Sequence, residues 1–238
     1  PPSEVRSSDV PELAAFRHAV TLANRNIHDE AEKNTGRTGM GTTLTALLLA
    51  RQRAFLVHIG DSRAYRLRGG TLVQLTNDHS VVAEQMRSGL ISPAQARTSP
   101  YRHVITRALG IDREAAPDRM EHPVQPDDTY LLCSDGLTEM VGDRDIRISL
   151  AGSAPRDAVL KLIAAANEQG GVDNITAVVV KVPDAESGID RLAREVNLKM
   201  EVLHKMPLFR HLTYQELVRV LNITEVRSAD TDKMFVEE

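Results

Sequence analysis

Three aspartates in this sequence stand where carboxylates could gather around a cation. Asp135 follows the apolar run Thr129 to Ser134 and precedes Gly136, a residue that lets another backbone come close. Asp173 lies between the Gly170-Gly171 pair and the β-branched run Ile175 to Val182. Asp78 lies in Thr76-Asn77-Asp78-His79-Ser80, after the run Thr71 to Leu75 and before a short helical stretch. Carboxylates at strand ends converge easily on one edge of a sheet, where they repel one another unless a cation offsets their charge. Hard divalent ions such as Mg²⁺ or Mn²⁺ take oxygen ligands and keep several waters. A water on such an ion is acidic enough to attack at neutral pH. The competing reading is structural, because Asp before Gly is a common turn pair and Asp173 could simply cap a loop. Composition does not separate the two readings.

The elements that would position these residues can be read from periodicity. Leu13, Phe16, Val20, Ala23 and Ile27 form one apolar stripe, which predicts a helix that ends before Gly36, with Pro11 in its first turn and Asp9 as its cap. Strands are predicted at Thr42 to Leu49, Arg53 to Ile59, Arg63 to Arg68 and Thr71 to Leu75. Gly69-Gly70 makes a hairpin turn between the last two. Tight turns join these strands, so the pairing is antiparallel. A short helix is expected over Ser80 to Arg87, then an irregular segment with helical pieces over Gly89 to Ala116. Further on come a strand at Thr129 to Ser134, an amphipathic helix at Pro155 to Gln169 and a strand at Ile175 to Val182. Pro183 to Gly188 reads as a boundary. Beyond it, Ile189, Leu192, Val196, Met200 and Leu203 form a helical stripe, and Thr213 with Glu216 forms a capping box.

Bulk properties exclude several classes. The 238 residues are 42% apolar and 26% charged, which suits a chain that buries a real core. The net charge of -4 and the lack of Trp argue against a nucleic-acid partner. No run approaches the length of a membrane span, and no signal peptide opens the chain, so the expectation is a cytoplasmic protein without a membrane partner. Cys133 is the only cysteine, which rules out an internal disulfide and speaks against a cysteine zinc site. It reads as a buried strand residue and not a nucleophile. Gly36 and Gly41 have the spacing of a phosphate-binding loop, but Thr42 stands where the lysine is needed, so a nucleotide-hydrolysing loop is not expected.

Five segments, in order, resemble the metal-dependent protein phosphatases of type 2C (the PPM family) in their compact bacterial form. They are Gly41-Thr42-Thr43, Gly60-Asp61-Ser62-Arg63-Ala64-Tyr65, Leu75-Thr76-Asn77-Asp78-His79-Ser80, Ser134-Asp135-Gly136-Leu137-Thr138 and Gly171-Val172-Asp173-Asn174-Ile175-Thr176-Ala177. The resemblance runs from about Leu13 to Val182. It implies an α+β fold: an α-β-β-α sandwich of two antiparallel sheets flanked by helices, here followed by a C-terminal helical segment. It also implies a hydrolase of signal transduction that removes phosphate from phosphoserine and phosphothreonine by a metal-activated water. Phosphorylated proteins would be substrates and Ser/Thr kinases partners. Two or three Mn²⁺ or Mg²⁺ ions would be cofactors. By the same resemblance Asp135 and Asp173 would bind the second catalytic metal, and Asp78 with Asp135 a third, looser one. Asn174 and Gly136 would orient the loop, Asp61 would stand behind the ligands, and residues 87–116 would match the variable flap beside the substrate groove. His79 would be structural or touch that flap, and His58 would be a satisfied core residue.

The sequence departs from the family pattern at one end. That pattern begins with two strands before the first helix, carrying an Arg and an Asp-Gly-Met-Gly-Gly turn whose Asp bridges the two catalytic metals. Neither precedes Pro11, and Gly39-Met40-Gly41 is not that motif. The expectation is a phosphatase domain over residues 1–183 that lacks its first strands and is nearly inactive as it stands. The alternative is a catalytically inactive phosphatase fold that serves as a regulatory or binding module. Residues 184–200 read as a helical linker. Residues 201–238, through Glu201 to Thr213 and Glu216-Leu217, resemble the first helices of a cyclic nucleotide-binding domain. The residues that hold the nucleotide in that family are not among them.

Overall fold

The computed structural model describes residues 11–183 and, beyond them, Val202, Leu203, Met206, Pro207, Phe209, Leu212, Glu216 and Val220. Contacts divide the chain into one unit over Pro1–Val182 and another over Pro183–Glu238. Asp9, the 189–200 stripe and most of the 201–238 segment lie outside the described residues.

Helix α1 (Pro11–Lys33) opens the described chain. Seven strands follow, interleaved with five helices: β1 (Leu44–Ala50), β2 (Arg53–Ile59), β3 (Arg63–Arg68), β4 (Thr71–Gln74), α2 (Val81–Arg87), α3 (Pro93–Thr98), β5 (Asp118–Pro123), β6 (Thr129–Cys133), α4 (Asp135–Thr138), α5 (Asp143–Leu150), α6 (Pro155–Glu168) and β7 (Ala177–Lys181). The strands form two sheets, one ordered β1-β2-β5 and the other β4-β3-β6-β7, antiparallel throughout. The chain passes from the first sheet to the second at Gly60-Asp61-Ser62, between β2 and β3.

The alternation of side chains along each strand builds the layers. On β2, Phe55, Val57 and Ile59 point to one face, where they meet Leu13, Phe16, Val20 and Ile27 of α1. Ala54 and Leu56 point to the other face and pack between the sheets with Ala64, Tyr130 and Val180. Tyr65 and Leu67 of β3 with Leu131 and Cys133 of β6 face outward. They are covered by Leu137, Ile146 and Leu150 together with Ala158, Leu162 and Ala166 of α6. The order is therefore helix, sheet, sheet, helix, as the sequence resemblance implies. β2 and β6 are buried on both faces, which is why they read as near-continuous apolar runs.

Three elements were not expected from the sequence: the one-turn helix α4, which carries Asp135, and β5 and α5. β5 is Asp118-Arg119-Met120-Glu121-His122-Pro123, a polar edge strand without apolar alternation, and only its pairing with β2 defines it. α5 buries only Ile146 and Leu150, one turn apart, too few residues to mark a helix by period. The strand expected over Ile175 to Val182 is shorter, because the residues before Ala177 are taken up by a turn. Within the irregular segment, Ser80 bridges to Ile105 and Thr42 to Leu109, so both ends of the excursion are tied to the sandwich.

Candidate metal centre

β6 ends at Cys133 and β7 begins at Ala177, and these two residues are paired across the sheet. That pairing brings the turns carrying Asp135 and Asp173 side by side. Ser134 fastens them together. Its amide donates to the Thr176 carbonyl at 3.1 Å, its hydroxyl accepts from the Thr176 amide at 3.0 Å, and the same hydroxyl donates to the Asn174 carbonyl at 3.1 Å. Gly136 closes the join. A β-carbon there would sit 2.6 Å from the Asn174 carbonyl oxygen and 3.4 Å from the Asp173 β-carbon, so only glycine permits the approach. Each carboxylate accepts one hydrogen bond from the amide that follows it: Asp135 from Gly136 at 2.9 Å and Asp173 from Asn174 at 2.6 Å. Asn174 thus serves through its backbone, on both sides of the join.

Asp61, on the crossing between the sheets, completes the acidic group. Burial pushes its carboxyl above the ordinary value, the charge of Asp135 adds to this and Asp78 contributes further. Its place in Gly60-Asp61-Ser62 is fixed by Gly60. That residue takes φ +111°, and a side chain there would meet Thr43 at 2.4 Å. The structure therefore places Asp61, Asp135 and Asp173 at one end of the sandwich.

Asp78 reaches the same end but is engaged differently. Arg63, the first residue of β3, donates to both its oxygens: Nε at 2.9 and 3.1 Å and Nη2 at 2.6 Å. Gln74 adds a contact at 3.2 Å. Burial opposes the Arg63 charge, but Asp78 outweighs it and raises the guanidinium above its ordinary value. Arg63, read from the sequence as the start of a strand, is the partner of a candidate ligand. Nothing in the linear spacing signals this, because 15 positions separate the two.

The loop carrying Asp78 rests on two buried histidines. His79 accepts from the Gly60 amide through Nδ1 at 3.1 Å, and its Nε2 lies 3.1 Å from Asp118. His58 pairs with the Thr45 hydroxyl at 2.9 Å and with the Asn77 carbonyl at 3.1 Å. The rings are 4.8 Å apart, and burial, the largest cause for both, lowers both below the ordinary value. Both are core groups here, and neither faces the acidic cluster as a ligand. Cys133 is buried, which pushes its thiol up to about 12 and leaves no thiolate for attack.

Two more groups reach this end unannounced. His103 Nδ1, Asp135 and Glu139 offer donor atoms that all lie within 4.8 Å of one another. Glu139 follows Asp135 by one helical turn, a spacing visible in the sequence. His103 lies in the irregular segment and gave no signal.

Asp135 and Asp173, on two turns that Gly136 allows to approach, offer the oxygen donors that a hard divalent cation takes. Comparisons with known proteins agree. A profile of the family described as Protein phosphatase 2C matches residues 4–172. The serine/threonine phosphatase stp of Listeria welshimeri is 38% identical over 176 residues, which are 74% of this chain and 70% of that protein. The serine/threonine protein phosphatase PstP of Mycobacterium tuberculosis is 42% identical over 176 residues, and the match spans only 34% of its length. The crystal structure of the Mycobacterium tuberculosis PstP/Ppp phosphatase superposes with a TM-score of 0.68 at 41% identity, covering 72% of each chain. A structure of the PstP catalytic domain in complex with two manganese ions gives 0.68 at 40% identity, over 74% of this chain and 75% of that one.

Proposed function

The chain belongs to the protein phosphatase 2C family, and on that premise we propose that its parent protein hydrolyses phosphoserine and phosphothreonine on proteins, using Mn²⁺ or Mg²⁺. The observation that carries this is the lock of Ser134 and Gly136 on residues 173–176, which holds Asp135 and Asp173 together at the sheet ends. Those two aspartates would hold the metal. When bound, it supplies an acidic water and offsets charge on the phosphoryl oxygens. Asp61 adds negative charge beside the ligands, Arg63 fixes the direction of Asp78, and residues 87–116 flank the group and would select among phosphoproteins. A catalytically inactive binding module is not favoured: both aspartates are in place, and the named relatives are phosphatases.

The 238 residues contain no Asp-Gly-Met-Gly-Gly. They supply only part of the ligand set that the family pattern calls for, so we expect low turnover from them alone. Hydrolysis of para-nitrophenyl phosphate with Mn²⁺ tests this, run on this chain, on a version extended at its N-terminus with the two strands of the family pattern, and on Asp135→Asn of that version. The reading stands if the longer protein turns over, this chain is at least 100-fold slower and Asp135→Asn is dead. An active Asp135→Asn would sink it.

The finer readings rest on sequence alone. Residues 201–238 would begin a cyclic nucleotide-binding domain that regulates the phosphatase in cis, within the cytoplasm. Among the described residues no helix is long and apolar enough to cross a membrane.

A further inference from the structure

Arg17, Thr21 and Asn24 follow one another at helical spacing along α1 and share one of its faces. That face turns to the first sheet, where Val20 packs with Val57 of β2. On the neighbouring strand β5, Arg119 is paired with Val57 and so stands on the same side of the sheet. Helix and sheet leave a cavity of about 40 Å³ between them, lined by these residues.

The frame of the cavity is fixed. Asn24, which is buried, donates to the Asp112 and Arg113 carbonyls at 3.0 and 3.1 Å and accepts from the Gly110 amide at 2.8 Å. Both its amide protons are thus used to fasten the turn that leads to β5. The two arginines have no such engagement. Arg37, Arg53, Arg63, Arg68 and Arg107 are each paired with a carboxylate. Among the described residues, Arg17 and Arg119 have no ion-pair partner, and no carboxylate lines the cavity they share. Glu121, two places along β5 on the same face, is engaged by Arg53. Two guanidinium groups at one concave site repel each other unless an anion lies between them. In a chain of net charge -4 this is a local reversal of sign.

The size of the cavity selects the anion. At about 10–15 Å³ for each water-sized centre, it takes roughly three such centres. Three oxygens of a tetrahedral oxyanion fill it and the fourth stays at the mouth, whereas a nucleotide base does not fit. Guanidinium forks match phosphate oxygens in pairs. The Thr21 hydroxyl, which donates to the Arg17 carbonyl at 3.1 Å, adds a donor when it turns.

We propose that Arg17, Thr21 and Arg119 bind a phosphate oxyanion between α1 and β5, apart from the aspartates at the ends of β6 and β7. The oxyanion is either inorganic phosphate or the phosphoryl group of a phosphorylated side chain, with its ester oxygen at the mouth. The site needs no metal and does not rest on the phosphatase reading.

The 238-residue chain, stripped of divalent ions, is titrated with inorganic phosphate at constant ionic strength and followed by ¹H–¹⁵N correlation spectra that include the arginine Nε–H signals. Saturable shifts are expected at Arg17, Thr21 and Arg119. Arg17→Gln and Arg119→Gln, neither in the buried core, should each weaken phosphate by about fivefold or more, with circular dichroism unchanged. Thr21→Glu, at an exposed helix position, sets a resident carboxylate beside the arginines and should abolish binding. Asp135→Asn should bind phosphate as the wild type does. A phosphoserine peptide that binds about tenfold tighter than phosphate identifies the occupant as a modified side chain, and one that binds no tighter identifies free phosphate. No saturable shift with phosphate or with the peptide overturns the proposal. So do the same shifts with chloride, or wild-type affinity in both Arg17→Gln and Arg119→Gln.

Discussion

Strand β3 carries an arginine at each end, and each grips an aspartate with two donors. At one end Arg68 holds Asp128, with Nε and Nη2 both at 2.6 Å. At the other, Arg63 holds Asp78. The chemistry is the same but the surroundings are not. Asp128 is fully buried and also accepts from the Gln125 amide at 2.9 Å and the Tyr130 hydroxyl at 3.3 Å, so its lone pairs are used within the protein. Asp78 keeps some exposure and stands beside Asp61 and Asp135. The two arginines are about equally exposed, so the difference lies in the carboxylates: a saturated, buried one serves architecture, whereas a partly exposed one among like charges can exchange its partner for a cation. The strand thus has a structural end and an end at the candidate metal centre, distinguished by what lies around two similar pairs.

The comparison breaks most sharply at the buried end. Asp128→Ala takes the acceptor from the Gln125 amide, the Tyr130 hydroxyl and Arg68, and because Arg68 is itself 25% exposed and keeps the Pro123 carbonyl, the cost should be about 1–3 kcal/mol. Urea unfolding should show a loss of that order, while Mn²⁺ binding by the folded fraction stays as in the wild type. Equal stability would mean that the buried fork is ornamental.

Arg63→Ala tests the other end. This pair is partly exposed, at 29% and 14% for the two side chains, so the cost should approach only about 1 kcal/mol. Asp78 is then released, and Mn²⁺ affinity measured by calorimetry should rise several-fold. A stability loss as large as that of Asp128→Ala would erase the distinction between the ends.

The smallest effect separates the ends by pH. Burial lowers His58 and His79 below the ordinary 6.5, so the unfolded chain binds protons more readily than the folded one. Their contribution is complete above 6.5 and is lost as pH falls below it. Burial alone would raise the Asp128 carboxyl, but the Arg68 fork outweighs it and holds the group below 3.8, so its contribution survives until more acid conditions. Unfolding midpoints should therefore drop between pH 7.5 and 5.5, and His58→Gln should flatten that drop. An unchanged slope in the variant would assign it elsewhere.

The end at the candidate metal centre was partly legible in advance. Asp135 and Asp173 could be named because each sits where an apolar run meets glycine, and such turns announce themselves locally. The α1 stripe, the Gly69-Gly70 hairpin and the two-faced strands β2 and β6 were legible for the same reason. Arg63 and His103 were not. Their roles depend on Asp78 and Glu139, which lie far along the chain, and no local period links them. β5 escaped because an edge strand takes its identity from its neighbour.

The sequence by itself determined which stretches bury a face, where the turns fall and which carboxylates stand at strand ends, since side-chain period and glycine conformation act over a few residues. Only the tertiary structure decided that Asp78 would be clasped by Arg63, that Asn174 would act through its backbone and that His103 would meet Glu139. Those choices depend on the pairing of β6 with β7 and the crossing at Gly60, and distances across paired strands are written in no single stretch of chain.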